Sequence, residues 1–275
     1  MFKGKTLIEK YLEKLKEKNY AVSSIKKIRY VLKPFVVEGV SKESIGEYQR
    51  KIAGLDQNTR NSYLSCLARY LKKYHEKLVE EVNIPKKLKK LPKEIPSQEE
   101  VKTILQRPDV LSFKGIRDRL ILEFFYGSGI RLSELRNLRL EDVDYKKQLI
   151  LINQGKNKKD RICPISSVAM RLLKKYLEKV REKLKGKENY IFLGPRGRKM
   201  NAKVPWRIVK KYGEYSPHKY RHAYATHLLQ NGMKETSLQR LLGHSRLSTT
   251  QVYTKVTIAD LKESYRRYHL RDKWD

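Results

Sequence analysis

Apolar residues recur every three to four positions along almost the whole chain, the spacing of helices that bury one face. Residues 6–18 place Leu7, Ile8, Tyr11, Leu12 and Leu15 on one side, and residues 24–37, 42–52 and 58–82 repeat the pattern with turn residues between them. The first third therefore predicts a small four-helix bundle. Between Val82 and Pro96 the period disappears; three prolines and five lysines in that run predict a semi-rigid basic linker.

Periodicity resumes behind a capping box, Ser97-Gln98-Glu99-Glu100, which opens a second domain on a helix. Helices are expected over residues 116–126 and 131–138. Two strands follow over 148–152 and 161–165, joined by a basic hairpin tip at 155–160. Beyond them the pattern is helical over 167–184, 204–211, 217–230, 237–242, 249–253 and 258–270, with one short strand at 190–193. The expected fold class is mainly α with a small antiparallel β-sheet (α+β): an all-α domain over 1–84, a linker over 85–96, an α+β domain over 97–256 and a helical tail over 257–275.

Charge changes the picture from a fold to a partner. The chain has 275 residues, with 63 Lys+Arg against 30 Asp+Glu and a formal net charge of +33. Both halves carry the excess, so it is not a tail. Two folded basic segments can line an anionic rod from two sides, which favours nucleic acid over a membrane surface. Within that reading Lys86, Lys87, Lys89 and Lys90 of the linker, and Lys158, Lys159 and Arg161 of the hairpin, are candidate phosphate contacts. No apolar run reaches the length of a spanning helix, and the amino end leads straight into an amphipathic helix without a signal-type region. A cytoplasmic protein with no membrane partner is expected. The two cysteines, Cys66 in a helical stripe and Cys163 in a strand-like run, suit a reducing interior and exclude a disulfide scaffold or a cysteine zinc site.

Several short constellations could carry chemistry. Ser216-Pro217 starts a helix in which His218 and Arg221 share a face near the positive end of the helix dipole, where a phosphate is welcome. A solvated basic face is the plainer explanation. His218, His222 and His227 raise a metal site, but Lys219, Tyr220 and Arg221 between the first two would repel a cation. Gly129-Ile130-Arg131 places an arginine at a glycine-freed turn, and Glu134 three residues on can pair with Arg131 and fix its fork, unless the two form an ordinary surface pair. Lys156 follows a glycine in the hairpin tip. His244 follows a helix-ending glycine, and Tyr253, one of 18 tyrosines, reads by itself as core packing.

Together, two arginines, a lysine, two histidines and a tyrosine are the side chains that split a phosphodiester without a metal. The chain offers no Walker-type glycine loop, no Gly-x-Ser-x-Gly elbow and no tight acidic cluster for two magnesium ions.

Through Gly129-Ile130-Arg131-Leu132-Ser133-Glu134-Leu135, His218-Lys219-Tyr220-Arg221-His222, Leu242-Gly243-His244-Ser245 and Ser248-Thr249-Thr250-Gln251-Val252-Tyr253, the sequence resembles the tyrosine recombinase (phage integrase) family, in particular Xer-type recombinases of archaeal-like character. The resemblance covers about residues 97–256. It implies a DNA breaking-rejoining catalytic domain behind an N-terminal core-binding domain. It also implies that Tyr253 is the nucleophile, Arg131 and Arg221 clamp the scissile phosphate, and His244 hydrogen-bonds it. Lys156 would be the general acid for the 5′-oxygen and His218 the acid/base serving the tyrosine. Neither metal, ATP nor any other cofactor is expected.

The implied partners are duplex DNA with a specific recombination site and three further copies of the chain, as a tetramer on two sites. A second recombinase or a DNA translocase is a further possible partner. The implied task is chromosome dimer resolution, with integration or excision of a mobile element as the alternative. The tail over 257–275 would dock into a neighbouring protomer. Tyr220 stands where the family commonly has leucine and is expected on the packed face. Two other functions stay open: a site-independent topoisomerase of the same chemistry, and a sequence-specific DNA-binding protein that never cuts. An RNA-binding module would want aromatic residues on its strands, which here are aliphatic.

Overall fold

The computed structural model describes residues 3–85, 95–153, 160–184, 186, 188–243, 258–269, 271 and 274. The chain divides into two compact units, Met1–Pro92 and Lys93–Asp275.

In the first unit, α1 (Lys3–Glu17), α2 (Val22–Val37), α3 (Lys42–Lys51) and α4 (Gln57–Tyr74) form the expected bundle. Their apolar stripes meet in a core whose centre, Val31, Leu32, Phe35, Ile45, Leu67, Tyr70 and Leu71, is sealed from solvent. Local chemistry sets the helix starts. Ser41 and Ser44 cap α3 reciprocally, and the Asp56 carboxylate accepts from the first free N–H groups of α4.

The helix expected over 58–82 stops eight residues early. His75 leaves helical backbone at φ −147°, and a 3-10 turn at Glu76–Leu78 follows. Leu78, Val79 and Val82 still reach the core from the returning chain, so their spacing imitated a helix that does not continue. The Gln49 side chain holds the return: it donates to the Glu81 carbonyl at 3.1 Å and accepts from the Asn83 N–H at 3.0 Å.

The second unit is built on α6 (Phe113–Gly127), which is buried on nearly every side. The Ser97–Glu100 box opens α5 (Gln98–Gln106) as expected. A short α7 (Leu132–Asn137) leads to an antiparallel sheet of β1 (Val143–Asp144), β2 (Leu149–Ile152) and β3 (Arg161–Pro164), with Ile150 opposite both Val143 and Cys163. Two residues are too few to show alternation, so β1 escaped the pattern. The stretch at 190–193 is not a strand but makes two isolated bridges, Arg139 with Tyr190 and Leu193 with Lys199. The long helix over 167–184 is α8 (Ser167–Tyr176), continued by a π-turn at Leu177–Arg181 and a 3-10 turn at Glu182–Leu184.

Then come α9 (Lys203–Tyr212), α10 (Pro217–Gln230), α11 (Glu235–Leu242) and α12 (Ile258–Tyr268). The helix expected over 249–253 lies outside the described residues.

The described residues of the tail pack on their own unit: Tyr265, His269 and Arg271 are buried there. Tyr265 Oη donates to the Gly127 carbonyl at 2.7 Å, and the Trp274 ring stacks on Tyr126. Arg271 donates to both oxygens of Glu123, an α6 carboxylate with no exposure of its own. A buried carboxylate requires a cation, and in this arrangement the same chain supplies it.

Candidate active site

Gly129 begins the site. Its φ of +57° is one that L side chains rarely adopt, and a Cβ there would stand 2.6 Å from the Tyr224 ring. The turn therefore lies flat on α10 and releases Arg131 at the N-cap of α7. The Arg131 backbone N–H donates to Glu134 at 2.8 Å, and its guanidinium donates to the same carboxylate at 2.5 Å. Side chain and backbone are both tied to one group, which leaves the fork few orientations. The Arg131 side chain stays 39% exposed, and so it is the part of the cluster open to a ligand.

Glu134 has a further partner. Arg161, at the start of β3, donates Nη1 to one carboxylate oxygen at 2.9 Å and Nη2 to the other at 2.7 Å. Burial by itself would raise the Glu134 carboxyl, but the hydrogen bonds and charge of Arg161, with those of Arg131, hold it down at about 2. Arg161 was expected among the phosphate contacts of the hairpin tip. The structure corrects this: it is 6% exposed and its fork is engaged on Glu134. Strand alternation carried the signal, since Arg161 stands two residues before the buried Cys163 and so points to the same side of the sheet.

Arg221 comes from the second turn of α10, whose first turn holds Pro217 behind the extended Ser216. Ser216 occupies the N-cap position but makes no side-chain cap bond. Arg221 is buried, and donates from Nη1 to the Gly129 carbonyl and from Nη2 to the Leu242 carbonyl at 2.7 Å. It thus joins the Arg131 turn to the end of α11. Burial, followed by the charges of Arg131 and Arg161, pulls its pKa down to about 10, which still leaves it a cation at neutral pH. Cys163, fully buried, reinforces the junction: its thiol lies 3.3 Å from the Leu241 carbonyl and 3.6 Å from that of Ser128. Its place in the site was not legible from sequence.

His218 is exposed one turn before Arg221. His222 is exposed too, whereas His227 is buried with Nδ1 3.0 Å from Tyr126 Oη, so the three histidines do not converge. Tyr220 faces the core and has no exposure. Gly243, at φ +63°, ends α11 and leads in sequence directly to His244. The structure thus gathers Arg131, Glu134, Arg161 and Arg221 through Gly129, with His218 on the same helix as Arg221. Lys156, Lys158, Lys159, His244, Tyr253 and the linker lysines Lys86, Lys87, Lys89 and Lys90 lie outside the described residues.

Two guanidiniums share one carboxylate and the charge of a third, Arg221, acts on the same group, a surplus of positive charge in a partly dry site. Such an arrangement suits an anion whose charge is spread over several oxygens, as on a phosphodiester.

The Phage integrase family model matches residues 96–259. Tyrosine recombinase XerA of Pyrococcus horikoshii is 35% identical over 277 residues, covering 96% of this chain and 94% of that one. Tyrosine recombinase XerD of Staphylococcus haemolyticus is 32% identical, covering 86% of this chain and 95% of its own. Among solved structures, XerH site-specific recombinase bound to its difH substrate superposes with a TM-score of 0.63 at 24% identity, covering 94% and 82% of the two chains. A lambda integrase dimer bound to a core site reaches 0.65 at 15% identity, covering 91% and 98%.

Proposed function

This chain belongs to the phage integrase family, and from that premise we propose that it is a site-specific DNA recombinase of the Xer type, cutting and rejoining duplex DNA through a covalent 3′-phosphotyrosine. The supporting observation is the Arg131–Glu134–Arg161 group beside Arg221, a braced cationic frame in which the partly exposed Arg131 is open to an anion. Electrostatic stabilisation of the developing pentacoordinate phosphorus is the role such donors serve best.

In this reaction Tyr253 Oη attacks the scissile phosphorus and the bond to the 5′-oxygen breaks. The tyrosine proton leaves toward His218, and Lys156 delivers a proton to the departing 5′-oxygen. Arg131, Arg221 and His244 hold the non-bridging oxygens. A 5′-hydroxyl of the partner duplex then attacks the phosphotyrosine, restoring a phosphodiester and the free tyrosine. One phosphoester replaces another at each step, so no ATP is needed.

The enzyme works in the cytoplasm as a tetramer on two DNA sites, one dimer to each. The helical unit and the linker lysines Lys86, Lys87, Lys89 and Lys90 bind the duplex as the catalytic unit does, with Lys158 and Lys159 on its backbone. Its biological task is resolution of chromosome dimers, a reading supported by the Xer names of its relatives.

The test incubates wild-type protein and Tyr253→Phe with fragmented host DNA in EDTA and recovers protein-linked DNA after SDS. An adduct from wild type alone, with its DNA mapping to one chromosomal locus, supports the proposal. Adducts with both proteins would remove Tyr253 as nucleophile. No adduct from either, with DNA binding intact, would leave a non-cutting binder.

A further inference from the structure

In the recombinase chemistry proposed above, Arg161 touches neither the DNA nor the reacting atoms. We infer that Arg161 is a positioning residue for that reaction: acting through Glu134, it sets the direction in which the Arg131 guanidinium meets the scissile phosphate. This rests on the reading of the site as a phosphodiester centre.

The geometry argues against a role in packing alone. Arg131 is the partly exposed guanidinium, and its side chain is anchored on Glu134. Glu134 sits in the first turn of α7, on a short helix that cannot by itself fix a carboxylate plane. Arg161 supplies that plane. Two parallel N–H···O bonds at 2.9 and 2.7 Å lock both oxygens, and the donor comes from β3, a different element. Each Glu134 oxygen then also serves Arg131, one through its backbone N–H and the other through its guanidinium. A rotation of the carboxylate would break both sets together.

Charge argues the same way. Arg131 and Arg161 facing one carboxylate leave a positive surplus that Glu134 cannot cancel, and Arg161 is buried where it cannot reach a ligand itself. Its charge competes for Glu134 and so keeps the Arg131 guanidinium from being neutralised by a full ion pair. The position also explains why the arginine stands directly after the hairpin tip. β3 pairs along its whole length with β2, from Leu149 opposite Pro164 to Ile152 opposite Arg161, and this fixes the fork in register with α7.

The experiment compares covalent adduct formation on two DNA substrates, one with an ordinary scissile phosphodiester and one with a neutral methylphosphonate at the same position. A guanidinium aimed at non-bridging charge matters on the first and little on the second. Arg161→Gln should lose on the order of a hundredfold on the phosphodiester, the effect of misplacing one oxyanion donor, and less than about threefold on the methylphosphonate. Arg161→Lys keeps the buried charge without the fork. It should fold as wild type does in a thermal melt and show the same substrate-dependent loss at smaller size. Equal losses of either variant on the two substrates, or no loss on the phosphodiester, would overturn the assignment while leaving the recombinase reading intact. A wild-type protein that forms no adduct on either substrate would overturn both.

Discussion

Replacing Arg271 with methionine takes a cation from a carboxylate that has no access to water. Glu123 is 0% exposed and accepts from Arg271 Nε at 3.0 and 2.8 Å and from Nη2 at 2.9 Å. Arg119, one turn back on α6, provides one further bond at 2.9 Å. Removing one partner of a buried pair costs about 3–5 kcal/mol because the other charge is left stranded. Since Arg119 keeps part of the compensation, the expected loss is about 2–3 kcal/mol. The assay is urea unfolding followed by tryptophan fluorescence. The chain has two tryptophans: Trp206 is 47% exposed, while the Trp274 ring lies 5.6 Å from Tyr126 at an interplanar angle of 10°. A Trp206→Phe background therefore leaves Trp274 as the single reporter of tail docking.

Arg271→Met should bring the Trp274 transition to lower urea, and Glu123→Gln should remove most of the difference between arginine and methionine at 271. A loss below about 1 kcal/mol, or additive effects of the two substitutions, would refute the view that an ion pair latches the tail to its own unit.

Other outcomes follow from the same structure. Glu134, depressed to about 2 from an ordinary 4.5, contributes about 3 kcal/mol that is fully present above pH 4.5 and is lost as pH falls toward 2. The stability gap between wild type and Glu134→Gln, measured by urea unfolding from neutral to acid pH, should close over that window; a constant gap would contradict the pairing. Gly129→Ala forces a side chain into a φ of +57° and against Tyr224, and should lower stability by about 2–3 kcal/mol in calorimetry and weaken adduct formation. Tyr220→Phe removes a buried hydroxyl that has no hydrogen-bond partner among the described residues. Thermal unfolding should be unchanged or improved by up to about 1 kcal/mol, and a clear loss would reveal a partner.

Much of this molecule is local in origin, and that part was legible. The bundle followed from apolar spacing, because each helix must bury one stripe. The Ser97–Glu100 box announced the second domain, since capping depends only on residues three apart. The Arg131–Glu134 contact was visible for the same reason, as neighbours on one helical turn. Where two local solutions share a pattern, spacing could not choose. The stretch after Tyr74 has helical periodicity but turns back, because Gln49, far away in sequence, holds Glu81 and Asn83.

Tertiary structure alone decided the partners of buried charge. Arg161 belongs to a lysine-rich segment and reads as one more cation for DNA until strand pairing carries it to Glu134, 27 residues away. Arg271 finds Glu123 across 148 residues, which seats the tail on its own chain. Composition counts charges and periodicity assigns faces, but neither records which carboxylate a buried guanidinium meets. That choice is made by desolvation, whose cost is met only where the folded chain brings an acid within hydrogen-bonding distance.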